Sequence, residues 1–381
     1  MTRRAAALMA AMAASAFFAL SFGGRLYYFL AVLFACLLLF GFISCLWARS
    51  VLRCTLYFPH HKVQRGEEAA AEIQLRHHCP LPLAAITCLY TGPMGTESRE
   101  MPTAPFTDYQ AGILMPTLHV GAFTAELRQV NVQDMFCLFS MRKRFRDQQH
   151  TYFVLPNPYP IDKPEISPGD EGSAALGRTQ EDYNSPEDTR AYQPGDAMKR
   201  IHWKLSSRRQ ELVVRRFEMP SPPDTLILMD TSRPLASRTE DVPFLQDALC
   251  ETAVAVAKLQ MEDGSPVRLP LHGKYANEFV SDQADGLPQL KDMLASVTFA
   301  ETADFGHVLR LELRRMRRTG AAIIITTRLD AGIVEGVTSI RRMGPSARVY
   351  LCTRTPDDPS LIPYITQLQH HLVEVCYVTP A

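Results

Sequence analysis

Hydrophobic positions run almost unbroken at the start of this chain, alternate with polar ones through its middle, and gather into short blocks towards its end. Residues 5–22 (AAALMAAMAASAFFALSF) and 26–47 (LYYFLAVLFACLLLFGFISCLW) carry no charge. Each is about long enough to cross a hydrocarbon core as a helix. Gly23, Gly24 and Arg25 between them read as a tight turn, so the pattern predicts a transmembrane α-hairpin. A rival reading makes residues 1–22 a cleaved signal peptide: Arg3 and Arg4, an apolar run, then the small residues Ala14, Ser15 and Ala16. Arg49 and Arg53 follow the second segment, whereas Arg25 alone precedes it. Under either reading that asymmetry directs the remainder of the chain to the cytoplasm.

From Cys54 to Leu155 the period falls to two. Ala71, Ile73 and Leu75 alternate with Glu72, Gln74 and Arg76, and Phe123, Ala125 and Leu127 share one face of a second such run. Turn signals (RGEE, TGPMG, HVG) separate short strands, which predicts an antiparallel β-sandwich. Residues 155–177 are rich in Pro and Gly and read as a surface linker. Beyond Asp224, apolar blocks at 225–230, 266–271, 321–327, 347–353 and 372–378 read as buried strands. Helical spacing lies between them: Leu245, Ala248, Leu249, Thr252, Val256 and Leu259 form one stripe, and a second helix over 305–318 ends in basic residues. Strand–helix alternation predicts an α/β domain with a parallel sheet covered on both faces. Sites in such sheets gather at the carboxyl ends of the strands, which singles out Asp230 and Ser232.

With 381 residues there is room for two or three domains. Lys plus Arg and Asp plus Glu are both 40, so the formal net charge is zero and the chain as a whole is no electrostatic trap for nucleic acid. Nine cysteines, an odd number with no C-x-x-C pair, read as small core residues in a reducing compartment. The pairs His60–His61, His77–His78 and His370–His371 are poor chelators, because neighbours on a strand face opposite ways.

The stretch YQPGDAMKRIHWKLSSRRQELVVRRFE, residues 192–218, concentrates the unusual chemistry. Pro194-Gly195 reads as a turn and Asp196 as the cap of a short helix. On that helix Met198, Ile201 and Leu205 would share one face, with Arg200, Lys204 and Arg208 in a basic stripe beside Trp203. Leu212 and Val214 would then face one way along a strand, Val213 and Phe217 the other. A solvated helix edge accounts for the charges as well as a docking surface does. One short stripe with few aromatics is a poor nucleic-acid surface.

The order Arg190, Tyr192, Pro194-Gly195-Asp196, Arg200, Ile201, His202-Trp203-Lys204, Ser206, Arg208, Leu212, Val214, Arg215, Phe217-Glu218 resembles the signature of bacterial proteins carrying domain of unknown function 58. VNVQDMFCLF (130–139) resembles that family's Asp-Pro-Phe-Gly-Leu-Phe element, with Met135 and Cys137 as departures, and Ser207 stands where Ala is commoner. The resemblance covers nearly the whole chain. It implies a membrane hairpin, a β-rich region and a von Willebrand factor type A-like C-terminal domain. It also implies association with a MoxR-type AAA+ ATPase, and with membrane proteins bearing transglutaminase-like domains. A complete metal-ion-dependent adhesion site of that fold resembles Asp-x-Ser-x-Ser plus a distant Thr and a further Asp. Here Asp230 and Ser232 are present, Pro234 replaces the last Ser, Thr302 stands for the Thr, and Thr327-Arg328 lies where the second Asp is sought. This degenerate set disfavours Mg²⁺, and no other cofactor is expected.

Four regions are therefore expected: a hairpin over 1–53, a β-sandwich over 54–155, a linker and signature segment over 156–222, and an α/β domain over 223–381. No nucleophile elbow, Walker loop, dinucleotide fingerprint or H-E-x-x-H motif is present, and no catalytic role is expected. The expected function is that of a two-span inner-membrane adaptor of a bacterium, its soluble domains cytoplasmic and its signature segment packing between them to shape a docking surface. The alternatives are metal-dependent protein binding and an uncharacterised hydrolase.

Overall fold

The computed structural model describes residues 2–145, 148–161, 186–193, 198, 201–217, 223–236, 238–272, 276–299, 304–316 and 319–380. They divide into two units, Met1–Leu155 and Pro156–Ala381. In the first, α1 (Arg3–Phe22) and α2 (Arg25–Val51) are the predicted hairpin. Gly23 closes it in the left-handed region (φ 66°), where a Cβ would be strained, and its N–H donates to Ala19 O. Both helices are long and apolar enough to cross a membrane. Their large apolar side chains, among them Phe17, Leu20, Phe29 and Leu39, are exposed.

Nine strands follow: β1 (Arg53–Tyr57), β2 (Lys62–Gln64), β3 (Ala69–His77), β4 (Leu83–Gly92), β5 (Gly95–Met101), β6 (Thr107–Met115), β7 (Gly121–Asp134), β8 (Ser140–Arg144) and β9 (Gln149–Leu155). They form two sheets, β1-β3-β6 and β2-β9-β7-β4-β5, with β8 also paired to β7. Inward residues of both sheets share one core, in which Leu56, Ile73 and Leu75 meet Ile86, Leu127 and Val132. The expectation of wholly antiparallel pairing needs correction: the edge strand β2 runs parallel to β9 over three residues. The cysteines are free thiols, and those of Cys54 and Cys88 lie 3.8 Å apart in this core.

The turn from β7 to β8 explains the Asp-Met-Phe-Cys-Leu-Phe element. Buried Asp134 accepts the N–H groups of Phe136 (3.0 Å) and Phe139 (2.6 Å), and Cys137 N–H donates to Asp134 O at 2.9 Å. Asp at the first position and Pro at the second suit such a turn. Cys137 at the fourth is left-handed, at φ 55°. That explains a glycine there, because a Cβ in this region costs about 1 kcal/mol or more. Cys137→Gly should therefore raise stability by about 0.5–1 kcal/mol, read as a higher melting temperature of the detergent-solubilised protein. An unchanged or lower melting temperature would show that the turn carries no such strain.

The second unit begins with β10 (Pro186–Ala191), α3 (Trp203–Arg209) and β11 (Val213–Phe217), the two strands forming an antiparallel ribbon. The predicted linker falls largely outside the described residues. A six-stranded sheet follows, built from β12 (Asp224–Met229), β13 (Val267–Leu271), β14 (Asn277–Ser281), β15 (Thr319–Thr326), β16 (Ser346–Cys352) and β17 (Glu374–Val378). Its order is β14-β13-β12-β15-β16-β17. All pairs are parallel except β13–β14, so the sheet is mixed rather than parallel throughout. The short link from β13 to β14 allows reversal, whereas a parallel return needs a crossover of about a dozen residues.

The connecting helices are α4 (Val242–Glu262), α5 (Leu287–Ala295), α6 (Phe305–Arg315), α7 (Ala331–Arg342) and α8 (Ile362–His370). Leu226, Leu228, Ile324, Val349 and Leu351 pack with Leu309, Ile333, Val337 and Leu368, which puts α6, α7 and α8 on one face. Thr225, on the alternate side of β12, donates to Gln260 of α4 at 3.1 Å, so α4 covers the other face. Burial on both faces is why the strands read as continuous apolar blocks.

Candidate functional site at the carboxyl edge of the sheet

Strand β12 lies between β13 and β15; the connection leaving β12 runs to β13 on one side, and that leaving β15 runs to β16 on the other. The crevice beyond its carboxyl end is therefore the topological switch point, where ligands gather in open α/β sheets. Asp230 stands there, 1% exposed, its N–H donating to Ile325 O at 2.8 Å. Its Oδ1 accepts from Ser232 N (3.0 Å) and Ser232 Oγ (2.5 Å), and its Oδ2 accepts from Thr326 Oγ1 (3.0 Å). The Arg328 Nε lies 3.6 Å from Oδ2. Thr231 Oγ1 donates to His272 O at 2.7 Å, tying the ends of β12 and β13 together. Pro234 is buried and offers no hydroxyl.

Asp230 and Ser232 are thus brought together as the sequence predicts, whereas Thr302 lies outside the described residues. Thr326, which the sequence reading passed over, supplies the hydroxyl. Its signal was available: it is the last residue of the block AAIIIT, and a strand-terminal hydroxyl beside a strand-terminal acid is placed to bond it. Arg328, noted from sequence only as repellent to a cation, faces the carboxylate directly. Asp230 accepts three hydrogen bonds and meets a guanidinium, which leaves a short and charge-compensated donor set for a hard cation that takes six or more oxygens.

A second constellation was not foreseen. Glu312 of α6 has a fully buried side chain. It lies 3.1 Å from His272 Nε2 and accepts from Arg315 Nη1 (2.9 Å) and Arg268 Nη2 (3.3 Å). Arg268 also bonds Glu278 (3.0 Å) and sits 3.6 Å from Asp224. Burial pushes the Glu312 carboxyl upward, but hydrogen bonds from His272 and Arg315 and the charges of Arg268 and Arg315 outweigh it and hold it below its ordinary value. The available signal was an acid at the same helical spacing as Phe305 and Leu309, on the face that enters the core.

The signature segment differs from expectation in where its helix starts. Ile201 is bridged to Val214, and α3 begins only at Trp203, with His202 as its cap: Nδ1 accepts Leu205 N at 3.2 Å. Met198 and Ile201 precede the helix: Met198 lies in a turn closed by Ile201 N–H to Met198 O at 3.2 Å, and the bridge to Val214 holds Ile201 out of the helix. The basic stripe on it reduces to Lys204 and Arg208, both exposed. Pro194, Gly195, Asp196 and Arg200 lie outside the described residues; Arg190 is placed opposite Val214, and Tyr192 N–H donates to Leu212 O at 2.8 Å. Val213 and Val214 are both buried and Leu212 is exposed, so the strand does not show the predicted alternation. The helix is fixed to β11 by Ser206 Oγ, which accepts Val213 N at 2.9 Å, and by His202 N–H to Val213 O at 2.8 Å. Trp203 is 65% exposed.

Residues 188–349, from this ribbon through most of the sheet, match the family model described as protein of unknown function DUF58. This segment is similar to the DUF58 domain. The uncharacterized protein YeaD of Bacillus subtilis (strain 168) is 23% identical over 293 residues, 73% of this chain and 70% of its own. Among solved structures, the CARDB domain of a Pyrococcus furiosus protein, in complex with di-metal ions, aligns with 27% of this chain and 84% of its own at 8% identity and a TM-score of 0.20. Cwp6 from Clostridium difficile aligns with 86% of this chain and 53% of its own, also at 8% identity and a TM-score of 0.20. Scores at that level carry no argument about the fold. Both the Asp230 crevice and the α3 helix fall inside the DUF58 match.

Proposed function

We propose that this protein is a membrane-anchored, cytoplasm-facing adaptor. In this reading a β-sandwich and a von Willebrand type A-like domain stand at the inner membrane of a bacterium and bind a protein partner, a MoxR-type AAA+ ATPase. A transglutaminase-like membrane protein is a second expected associate. The observation that carries the reading is Trp203: a large aromatic left exposed beside Lys204 and Arg208, on a helix fixed to β11 by the bonds of His202 and Ser206 to Val213. Trp and Arg on a rigid element are the residues that dominate protein interfaces. The sheet order, with one antiparallel edge strand beyond two parallel ones, supports the type A-like assignment. Arg328 takes the place of a cation beside Asp230, so binding in this reading is metal-independent.

Because Trp203 is exposed, Trp203→Ala should leave stability within about 0.5 kcal/mol. The same change, or Lys204→Ala with Arg208→Ala, should weaken partner capture by about tenfold or more. The measurement is affinity purification of the tagged full-length protein from detergent-solubilised membranes, with mass spectrometry, in the presence and absence of chelator. An AAA+ ATPase captured by the native protein, retained in chelator and lost from a still-folded variant supports the reading. Capture of other membrane partners without an ATPase removes it, and loss in chelator favours the metal-dependent alternative.

A further inference from the structure

The β7–β8 turn lies against the hairpin in a way that a soluble loop would not need. Thr2 Oγ1 bonds the carbonyls of Cys137 and Leu138 (2.8 Å each), so the turn caps the start of α1. Gly41 lets α2 approach: a Cβ there would stand 3.0 Å from Asp134 Oδ2. Phe136 meets Phe40 edge-on at 6.3 Å, and Phe139 meets Phe42 at 5.7 Å. Gly41, Ser44, Cys45 and Ala48 form the buried stripe of α2, while Phe40, Ile43, Leu46 and Trp47 remain exposed.

These contacts set a depth scale. Phe40 is seven residues before Trp47, about 10 Å along the helix axis towards the Gly23–Gly24 turn. An exposed Trp on a spanning helix marks the headgroup level. Met135 and Phe136, 55% and 41% exposed, therefore project below that level, beside the apolar run of α2. Strand β8 climbs away from the turn at about 3.3 Å per residue. Its Arg142 and Arg144 are exposed, and Lys143 donates to Leu52 O. Burial and the nearby charges of Arg53 and Arg49 lower the Lys143 ammonium from its ordinary range. Arg3 and Arg4 open α1 at this same end.

We propose that the β7–β8 turn is a second membrane contact: Met135 and Phe136 enter the acyl boundary of the leaflet crossed by the hairpin, and Arg142, Arg144, Arg49 and Arg53 face its anionic headgroups. This rests on the reading of α1 and α2 as spans. An apolar tip beneath a basic collar matches a negatively charged lipid surface, where each cation adds attraction and the tip adds buried area.

The test uses full-length protein with Trp47→Phe and Trp203→Phe, carrying either Phe136→Trp or Leu33→Trp as the reporter. Each is reconstituted in phosphatidylcholine vesicles with or without phosphatidylglycerol, containing lipid brominated near the headgroup or near the bilayer centre. The expected result is quenching of the residue-136 reporter by shallow bromines and of the residue-33 reporter by deep ones. Arg142→Glu with Arg144→Glu should reduce shallow quenching in phosphatidylglycerol vesicles to the level seen without it. Deep quenching at residue 33 with none at residue 136 overturns the proposal and leaves the spans intact. No quenching at residue 33 overturns the spans, and the proposal with them. Charge reversal without effect overturns the headgroup contact.

Discussion

Replacing Asp230 by alanine is expected to destabilise the second unit by about 3–5 kcal/mol, because it removes the buried carboxylate beside Arg328 and the acceptor of Ser232, and leaves Thr326 only the Arg328 carbonyl to bond. At roughly 2–4 °C per kcal/mol, the melting temperature should fall by about 10 °C. Hydrogen exchange should locate the loss in β12 and β15. Asp230→Asn keeps an acceptor and should lose less. The result discriminates between roles, since an acid that only ligates a metal is commonly dispensable to the fold. Arg328→Ala supplies the reciprocal reading: it leaves the carboxylate without its guanidinium, so Mg²⁺ should raise the melting temperature of this variant and not of the native protein. Equal responses to Mg²⁺ would remove the idea that Arg328 takes the place of a cation.

Loss of the Glu312 carboxylate should be nearly as costly. Breaking a buried ion pair costs about 3–5 kcal/mol, but Arg268 retains Glu278 and Asp224, so Glu312→Ala is expected near the lower end, about 3 kcal/mol. The pH dependence follows from the direction of the shift. Glu312 is held below its ordinary value of 4.5, so its contribution is fully present above that value and is lost as pH falls through the lower, folded-state value. Glu312→Gln should therefore be less stable than the native protein at neutral pH, with the difference shrinking in acid. A difference independent of pH between neutrality and the acid limb would show that the carboxylate's charge contributes nothing.

Several features of the chain are legible in its sequence because a local pattern fully expresses them. The hairpin follows from two uncharged runs around Gly23-Gly24, and the strands of the mixed sheet from apolar blocks of the right length. Asp230 and Ser232 follow from the rule that sites lie at strand ends. What failed was local structure overridden by distant partners. The helix expected from Asp196 onward starts at Trp203, because Ile201 is claimed by a bridge to Val214. Strand β14 was missed because its five residues, NEFVS, sit on an edge and show no continuous apolar run. The Glu312 network was missed because its members come from β12, β13, β14 and α6, and nothing in their spacing announces that they meet.

The sequence by itself therefore determined the hairpin, the apolar strands of the second unit's sheet and the charge asymmetry around the hairpin. It also determined the family resemblance that the DUF58 match bears out. Only the tertiary structure decided that Thr326 and Arg328 close on Asp230, that Trp203 is left in solvent, and that Cys137 sits in a left-handed turn against α2. The physical reason is range. Apolar periodicity is set by neighbours along one strand or helix, whereas the partners of a buried charge, and the exposure of a side chain, are set by segments that meet only when sheet order and helix docking bring them together.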